Sequence, residues 1–377
     1  MSSYFDYFCE NVNSNKAACS DKILGICYSM CPQTEVTLRE KEGLVHVLEV
    51  FGPERKLVKC YSRSAADSNM AIPSILRPYN VLRNTVDYLV LDVTRRADVP
   101  TSTIYDFVND RLRAVRQDMT IQRLPPEQCV QLLEPMIRFY VYFGYKLCEQ
   151  PLSDYDPVLN QKYLLECMKW FLSCYENIQQ AEDNTNINDI STSLSSLEIN
   201  NRYLKKLTCD RELMESLYIL CNLDDLHPLY RYFKLPKDIK SNRAVKLAYK
   251  IAIANLKGNY AQVCNMLSQL CPLTYCAISV YLPTIQRRAL QVLSHGYNSK
   301  QLTVPTAVVR QWLRFPSDAN VIDICKYYGL HAEGPTVRFC KADFKTDVTT
   351  HQPRKLFLHE KSLKLDVENI FTYNTEK

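Results

Sequence analysis

Between Tyr105 and Gln122, in YDFVNDRLRAVRQDMTIQ, large apolar residues recur at Tyr105, Val108, Leu112, Val115 and Met119. The spacings alternate between three and four, which places all five on one side of an α-helix. Asp106, Asp110, Arg113 and Gln117 then fall on the opposite side, with Arg111 and Asp118 flanking the stripe. Thr103 is the expected N-cap, with Asp106 three residues on as in a capping box. Two carboxylates that work as acid and base must converge on a pocket, whereas Asp106 and Asp110 run along an outer face. The pattern predicts a structural helix with intrahelical Asp–Arg pairs.

Helical period returns along most of the chain. Thr34–Glu49 predicts a short amphipathic helix stopped by FGPERK, and residues 60–76 predict an extended connector. After Arg77-Pro78, residues Val81, Leu82, Thr85, Leu89 and Val93 share a face. Pro125-Pro126 predicts the start of another helix, with a kink at Pro135, and a further helix covers 156–178. Residues 179–201, QQAEDNTNINDISTSLSSLEINN, are polar and predict a mobile linker or insertion. Short helices then follow at 209–222, 241–257 and 259–270, which suggests a helical array without a strict repeat. Only 8 glycines occur in 377 residues, so phosphate-cradling loops, tight hairpins and left-handed helix caps are scarce.

The last hundred residues change character. TYCAISVYLPTIQRRALQVLSHGY, VPTAVVRQWLRF and SDANVIDICKYYGL read as helices, the last capped by Ser317 or Asp318 and ended near Gly329. GPTVRFC reads as a strand, with KLFLH as its antiparallel partner. Helices followed by a small β-hairpin are the ground plan of a winged helix. The expected organisation is a loose segment at 1–24, a helical array at 25–270 interrupted by the polar stretch at 179–201, a winged-helix module at 271–345 and an extension at 346–377.

The formal net charge of +5 is unevenly placed. From Arg231 to Lys257 stand Arg231, Lys234, Lys237, Lys240, Arg243, Lys246, Lys250 and Lys257 against the single acid Asp238. A second basic stretch runs from Arg338 to Lys364. Such segments suit a solvated helix face or an acidic partner. The 16 cysteines are irregularly spaced, and Cys27 and Cys31 do not complete a four-ligand zinc site with His46, so no metal is expected. MSSYFDYFCENVNSNK lacks a basic start followed by an apolar run, and MIRFYVYFGYKLC is too short and too charged to span a bilayer. These features predict a cytosolic or nuclear protein with reduced thiols and no membrane contact. GxSxG, HExxH and GxxxxGK motifs are absent, and the six histidines are scattered. The expectation is no enzyme, no cofactor and no small-molecule substrate.

Three stretches carry a family resemblance: MCPQTEVTLRE (30–40), RPYNVLRNTVDYLV (77–90) and YDFVNDRLRAVRQDMTIQ (105–122). With RELMESLYILCNL, LKGNYAQ and WLRF they resemble the Sac-three/GANP family over about residues 25 to 345. The matching motif positions are Cys31, Pro32, Arg77, Pro78, Asp87, Tyr88, Tyr105, Asp106, Asp110, Arg111, Arg113, Arg116, Asp118 and Gln122. One departure is GICYSMCP, where Tyr28 replaces the first proline of the family pattern. The resemblance implies a mainly α scaffold: an array resembling tetratricopeptide repeats and PCI modules, ending in a winged helix. It implies a PCI-domain partner, a small acidic disordered subunit, and winged helices that jointly bind nucleic acid in nuclear mRNA export. The sequence shows no phenylalanine-glycine repeats, acetyltransferase-like region or centrin-binding helix. It is most like the short metazoan members, associated with the centrosome, spindle assembly and mitosis, so cytoplasm, centrosome and nucleus are the expected compartments.

The candidate contact to an RNA or DNA backbone is Arg310, Arg314, Lys326, Arg338 and Lys341. Arg310 and Arg314 are expected on one exposed side of a helix, with Trp312, Leu313 and Phe315 in the core.

Overall fold

The structure is a computed structural model describing residues 23–62, 71–188, 209–355 and 367–371. It is mainly helical, with a small three-stranded antiparallel sheet near the C-terminus. The chain divides into two compact units: Met1–Tyr140 with Val158–Cys209 and Phe371–Lys377, and Val141–Pro157 with Asp210–Ile370.

The first unit opens with α1 (Gln33–Lys41), followed by a two-strand ribbon, β1 (Val50–Phe51) and β2 (Glu54–Arg55). The predicted helix at 34–49 therefore stops early: Gly43 takes φ +67°, and Val47–Glu49 forms only a 3-10 turn. Helix α2 (Tyr79–Asp87) continues into a π-type turn at Tyr88–Asp92. It buries Leu82 and Thr85, while Leu89 and Val93 are buried in the turns that follow.

Helix α3 (Thr101–Gln122) starts at a Pro100 cap, three residues before the predicted Thr103 cap. Its stripe Tyr105, Val108, Leu112, Val115 and Met119 is buried as predicted. Ile104, Phe107 and Ala114 are buried too, so α3 is packed on more than one side. It contacts α2, and Tyr105 stacks on Phe139 of α4 (Pro126–Lys146) at 5.7 Å between ring centroids. Pro135 lies inside α4 without ending it. Helix α5 (Pro157–Asn188) runs ten residues past the predicted end, so 179–188 is helical rather than linker. The remainder of that segment, 189–201, lies outside the described residues.

The second unit holds α6 (Arg211–Leu220), α7 (His227–Lys234), α8 (Lys237–Ser241), α9 (Arg243–Leu256), α10 (Tyr260–Met266), α11 (Pro272–Ser279) and α12 (Leu282–Gly296). Local chemistry sets the starts. Asp210, Asn242 and Asn259 accept backbone N–H bonds at the heads of α6, α9 and α10, and prolines occupy the first turns of α7, α11 and α12. Helix α6 packs on α9 and α11.

Then come β3 (Val304–Pro305), α13 (Thr306–Leu313), α14 (Asp318–Tyr327), β4 (His331–Glu333) and β5 (Thr336–Arg338). Ser317 caps α14. The sheet order is β3-β5-β4, with Val337 central, opposite Ala332 on one side and Val304 on the other. This corrects the predicted hairpin. The partners of β5 are HAE and VP; Lys355 of KLFLH is irregular, and 356–359 lie outside the described residues. Gly334, at φ +55°, turns β4 back onto β5, so the nearest strand wins the pairing. Leu313 and Phe315 are core as predicted, while Trp312 is half-buried.

Glycine scarcity leaves a mark on two helix ends. The residues following α3 and α13 are Arg123 (φ 49°) and Arg314 (φ 55°), both left-handed. Non-glycine residues in that region cost on the order of 1 kcal/mol each. At Gly329 (φ +83°) no side chain fits, because a Cβ would lie 2.3 Å from the Asp343 carbonyl oxygen.

Candidate nucleic-acid interface and the buried charged motif

Two charged positions of α3, Arg111 and Asp118, turn inward and build a lattice within the first unit. Asp118 is fully buried. Its Oδ1 accepts from Lys59 Nζ at 2.7 Å and its Oδ2 from Arg77 Nε at 2.7 Å. Lys59 Nζ also donates to the Ile75 carbonyl (2.7 Å), and Arg77 Nη1 to the Met30 carbonyl (3.3 Å). One turn on, Gln122 Nε2 donates to the Arg77 carbonyl at 2.8 Å, and its Oε1 accepts from Gly25 N at 2.9 Å. A Cβ on Gly25 would sit 2.3 Å from the Leu76 carbonyl oxygen, so the backbones touch there.

A second node forms on Glu49, also fully buried. It pairs with Arg39 and, at 3.4 Å, with Arg111, and accepts backbone N–H bonds from Val58 and His46 at 3.0 Å. Burial pushes the Glu49 carboxyl up, but Arg39, the Val58 N–H and Arg111 outweigh it, and its pKa lies below the usual carboxylate value. Arg111 also reaches Asp110 at 2.6 Å and lies 4.4 Å from the centroid of the Phe107 ring. Asp110 in turn accepts from Tyr61 N at 3.2 Å.

The remaining motif residues are mostly structural as well. Arg113 stacks over Tyr61 (3.8 Å), and Arg116 pairs with Glu166 (3.1 Å). Tyr105 Oη donates to Asn160 at 3.1 Å. Asp87 pairs with Arg83 at 3.2 Å, and Tyr88 is buried beneath Lys56. Pro32 and Pro78 cap α1 and α2. Cys31 is buried, and burial, then Glu35, pushes its thiol up, away from a reactive thiolate. Asp106 is exposed. As predicted, Arg111 and Asp118 are less exposed than Asp106 and Gln117. A carboxylate saturated by two cations in the interior has no room for acid–base work. Sequence reasoning missed Arg39, Glu49 and Lys59; Lys59 meets Asp118 and Glu49 meets Arg111 across about sixty residues, and the i,i+4 spacing of Glu35 and Arg39 was the one local signal.

The winged-helix cations are dispersed by the structure. Arg310 is exposed, with Nε 3.2 Å from Asp318 Oδ1. Arg314 is not on the same helical side. It is the left-handed residue that ends α13, half-buried, and its Nε donates to the Cys264 carbonyl at 3.3 Å. The four-residue spacing fails because α13 stops at Leu313. Lys326 is exposed in the last turn of α14. Arg338 stands opposite His331 on β5, and Lys341 is exposed, its backbone N–H bonded to Asn298 Oδ1 at 3.1 Å. Among the described residues these last three have no ion-pair partner. The following chain packs back: Phe344 stacks on Tyr328, and His351 bonds to Tyr328 Oη and Gln286. Burial, then Arg354, pushes the His351 imidazole down to about 4.

Residues 30–334 match the SAC3/GANP family. The chain belongs to that family. Among similar proteins are Protein xmas of Drosophila melanogaster (26% identical over 338 residues, 85% of this chain and 15% of that protein), SAC3 family protein B of Arabidopsis thaliana (25% over 324 residues, 81% and 18%) and SAC3 family protein 1 of Schizosaccharomyces pombe (24% over 335 residues, 81% and 30%). The chain thus spans less than a third of the length of each. SAC3/GANP domains are non-catalytic scaffolds that bind PCI-domain partners. Among the described residues, no helix is long and apolar enough to cross a membrane.

Proposed function

We propose that this SAC3/GANP chain is a scaffold subunit that pairs with a PCI-domain protein through its C-terminal winged-helix module, 271–345, with the helical array at 25–270 presenting further contacts. The observation that carries this is the order α13, α14, β4, β5 with β3 closing the sheet, at the end of a chain of the PCI-binding family. A small acidic disordered subunit completes the proposed assembly. Family roles include scaffolding of mRNA export. The resemblance to short metazoan members supports a place in centrosome duplication, spindle assembly and mitotic progression, in cytoplasm and nucleus.

A second reading, RNA or DNA backbone contact at the wing, is favoured by the lack of ion-pair partners at Lys326, Arg338 and Lys341. Purification of the tagged chain from cells, with identification of the co-purifying subunits, tests the assembly. A PCI-domain subunit lost on disrupting β5, by Val337→Asp, supports the first reading, and absence of any PCI-domain subunit overturns it. Salt-sensitive nucleic-acid binding abolished by reversing Lys326, Arg338 and Lys341 to glutamate, with the partner retained, supports the second; binding unchanged by that reversal removes it.

A further inference from the structure

The basic run from Arg231 to Lys257 is neither unfolded nor self-compensated. Helix α9 carries no acidic residue, and along it Arg243, Lys246 and Lys250, with Lys257 at its C-cap, recur at spacings of three, four and seven. At 100° per residue these four lie on one stripe, which extends about 21 Å along the helix. All four are exposed. Lys234, Lys237 and Lys240 continue the charge across α7 and α8. Only Arg231 is neutralised, by Glu215 at 2.9 Å. The other seven cations have no carboxylate partner among the described residues.

Beside this stripe stand exposed aromatic rings. Tyr230 and Phe233, three apart on one side of α7, are 60% and 63% exposed. Tyr232 of α7 stacks on Tyr249 of α9 at 4.1 Å and 12°. The Phe233 ring stands edge-on to both, 6.0 Å from each. Below them Leu235, Ile239 and Val245 form a small buried cluster against Tyr232, so the rings sit on a fixed base. Lys234 Nζ lies 4.4 Å from the centroid of the Tyr230 ring. A helix needing only solubility would present lysines here without large rings.

We infer that the α7–α9 face is a binding platform for single-stranded nucleic acid, in which bases stack on Tyr230 and Phe233 while the α9 stripe follows the phosphates. Charge alone would suit an acidic polypeptide equally. The exposed rings decide between them, because a single strand offers flat base faces together with regularly repeated negative charge. A duplex hides its base faces, so the platform discriminates against it. This inference does not depend on the winged-helix reading, since it uses none of the wing residues.

The test is fluorescence anisotropy of the full chain with a labelled single-stranded RNA of mixed sequence, its duplex form, and polyglutamate as competitor. Tyr230→Ala and Phe233→Ala remove exposed rings and leave the fold intact. Each is expected to weaken single-strand binding about tenfold with the salt dependence unchanged, within the range typical of one base stack. Lys246→Gln with Lys250→Gln is expected to reduce the slope of log affinity against log salt by about 1.4, two phosphate contacts' worth. Reversal of Lys326, Arg338 and Lys341 is expected to leave the aromatic sensitivity in place. No binding at low salt overturns the inference. So does wild-type affinity in both ring variants, equal affinity for duplex, or equal displacement by polyglutamate, which marks an acidic-protein surface. Loss of all binding in the wing variant but in none of the α7 or α9 variants assigns the RNA to the wing and also overturns it.

Discussion

Asp118→Asn is the most informative single change in the first unit. The substitution preserves size and one hydrogen-bond acceptor but removes the charge shared by Lys59 and Arg77. Both cations are themselves buried, Arg77 completely, so neither can recover water without moving. Breaking a buried pair from one side typically costs about 3–5 kcal/mol, because the orphaned partner remains desolvated. Two charge-assisted hydrogen bonds at about 1.5–3 kcal/mol each give about 3–6 kcal/mol, which overlaps that range. A unit of roughly 200 residues loses about 2–4 °C per kcal/mol, so the melting temperature should fall on the order of 10 °C. Urea denaturation followed by circular dichroism measures the loss directly, with exposed Asp106→Asn as a control expected within about 0.5 kcal/mol of wild type. Adding Lys59→Met to Asp118→Asn removes one orphaned charge and should restore part of the stability, with a coupling of about 1–3 kcal/mol. A loss under about 1 kcal/mol for Asp118→Asn, or strict additivity in the pair, would refute the view that this lattice holds α3 to the segments before it.

Leu112→Ala removes a fully buried side chain from the α3 stripe and should cost about 2–5 kcal/mol by chemical denaturation. Gly25→Ala forces a Cβ against the Leu76 carbonyl and Gln122, and should destabilise by about 1–3 kcal/mol although it adds only a methyl group. His351 is held neutral, with a folded pKa near 4 against an unfolded value of about 6.5. Between these values the unfolded chain binds more protons, so its contribution is complete above pH 6.5 and is lost as pH falls towards 4. Thermal melts from pH 7.5 to 4.5 should show a steeper decline for wild type than for His351→Gln.

The parts of the fold legible in the sequence were those written in local periodicity. The α3 stripe, the Ser317 cap and the Gly329 stop could be read because each depends on neighbours within a few residues. The lattice around Asp118 could not, because Lys59 lies 59 positions away in a stretch without period. Even so, the flanking placement of Arg111 and Asp118 anticipated their burial. The β4 strand escaped notice because HAE has a single inward residue, Ala332, too short a run for alternation to register. The surface assigned to Arg310 and Arg314 failed for a comparable reason: periodicity gives the phase of a helix but not the residue at which it stops.

The same residue types serve opposite ends in the two units, and composition cannot separate them. In the first, Arg39, Lys59, Arg77, Arg111 and Arg116 each find a carboxylate on another segment, and their charge is consumed in holding the unit together. In the second, the run from Arg231 to Lys257 contains one acid for eight cations, and Glu215 neutralises only Arg231. Repulsion among the remaining seven works against the compact state, and the four of them aligned on the exposed α9 stripe are a cost to stability that the fold does not recover internally. Exposed aromatic rings beside that stripe add a second cost of the same kind. Two unrecovered costs on adjoining faces of α7 and α9 place the interaction surface there more firmly than net charge does, and make ring removal, rather than charge reversal, the decisive substitution.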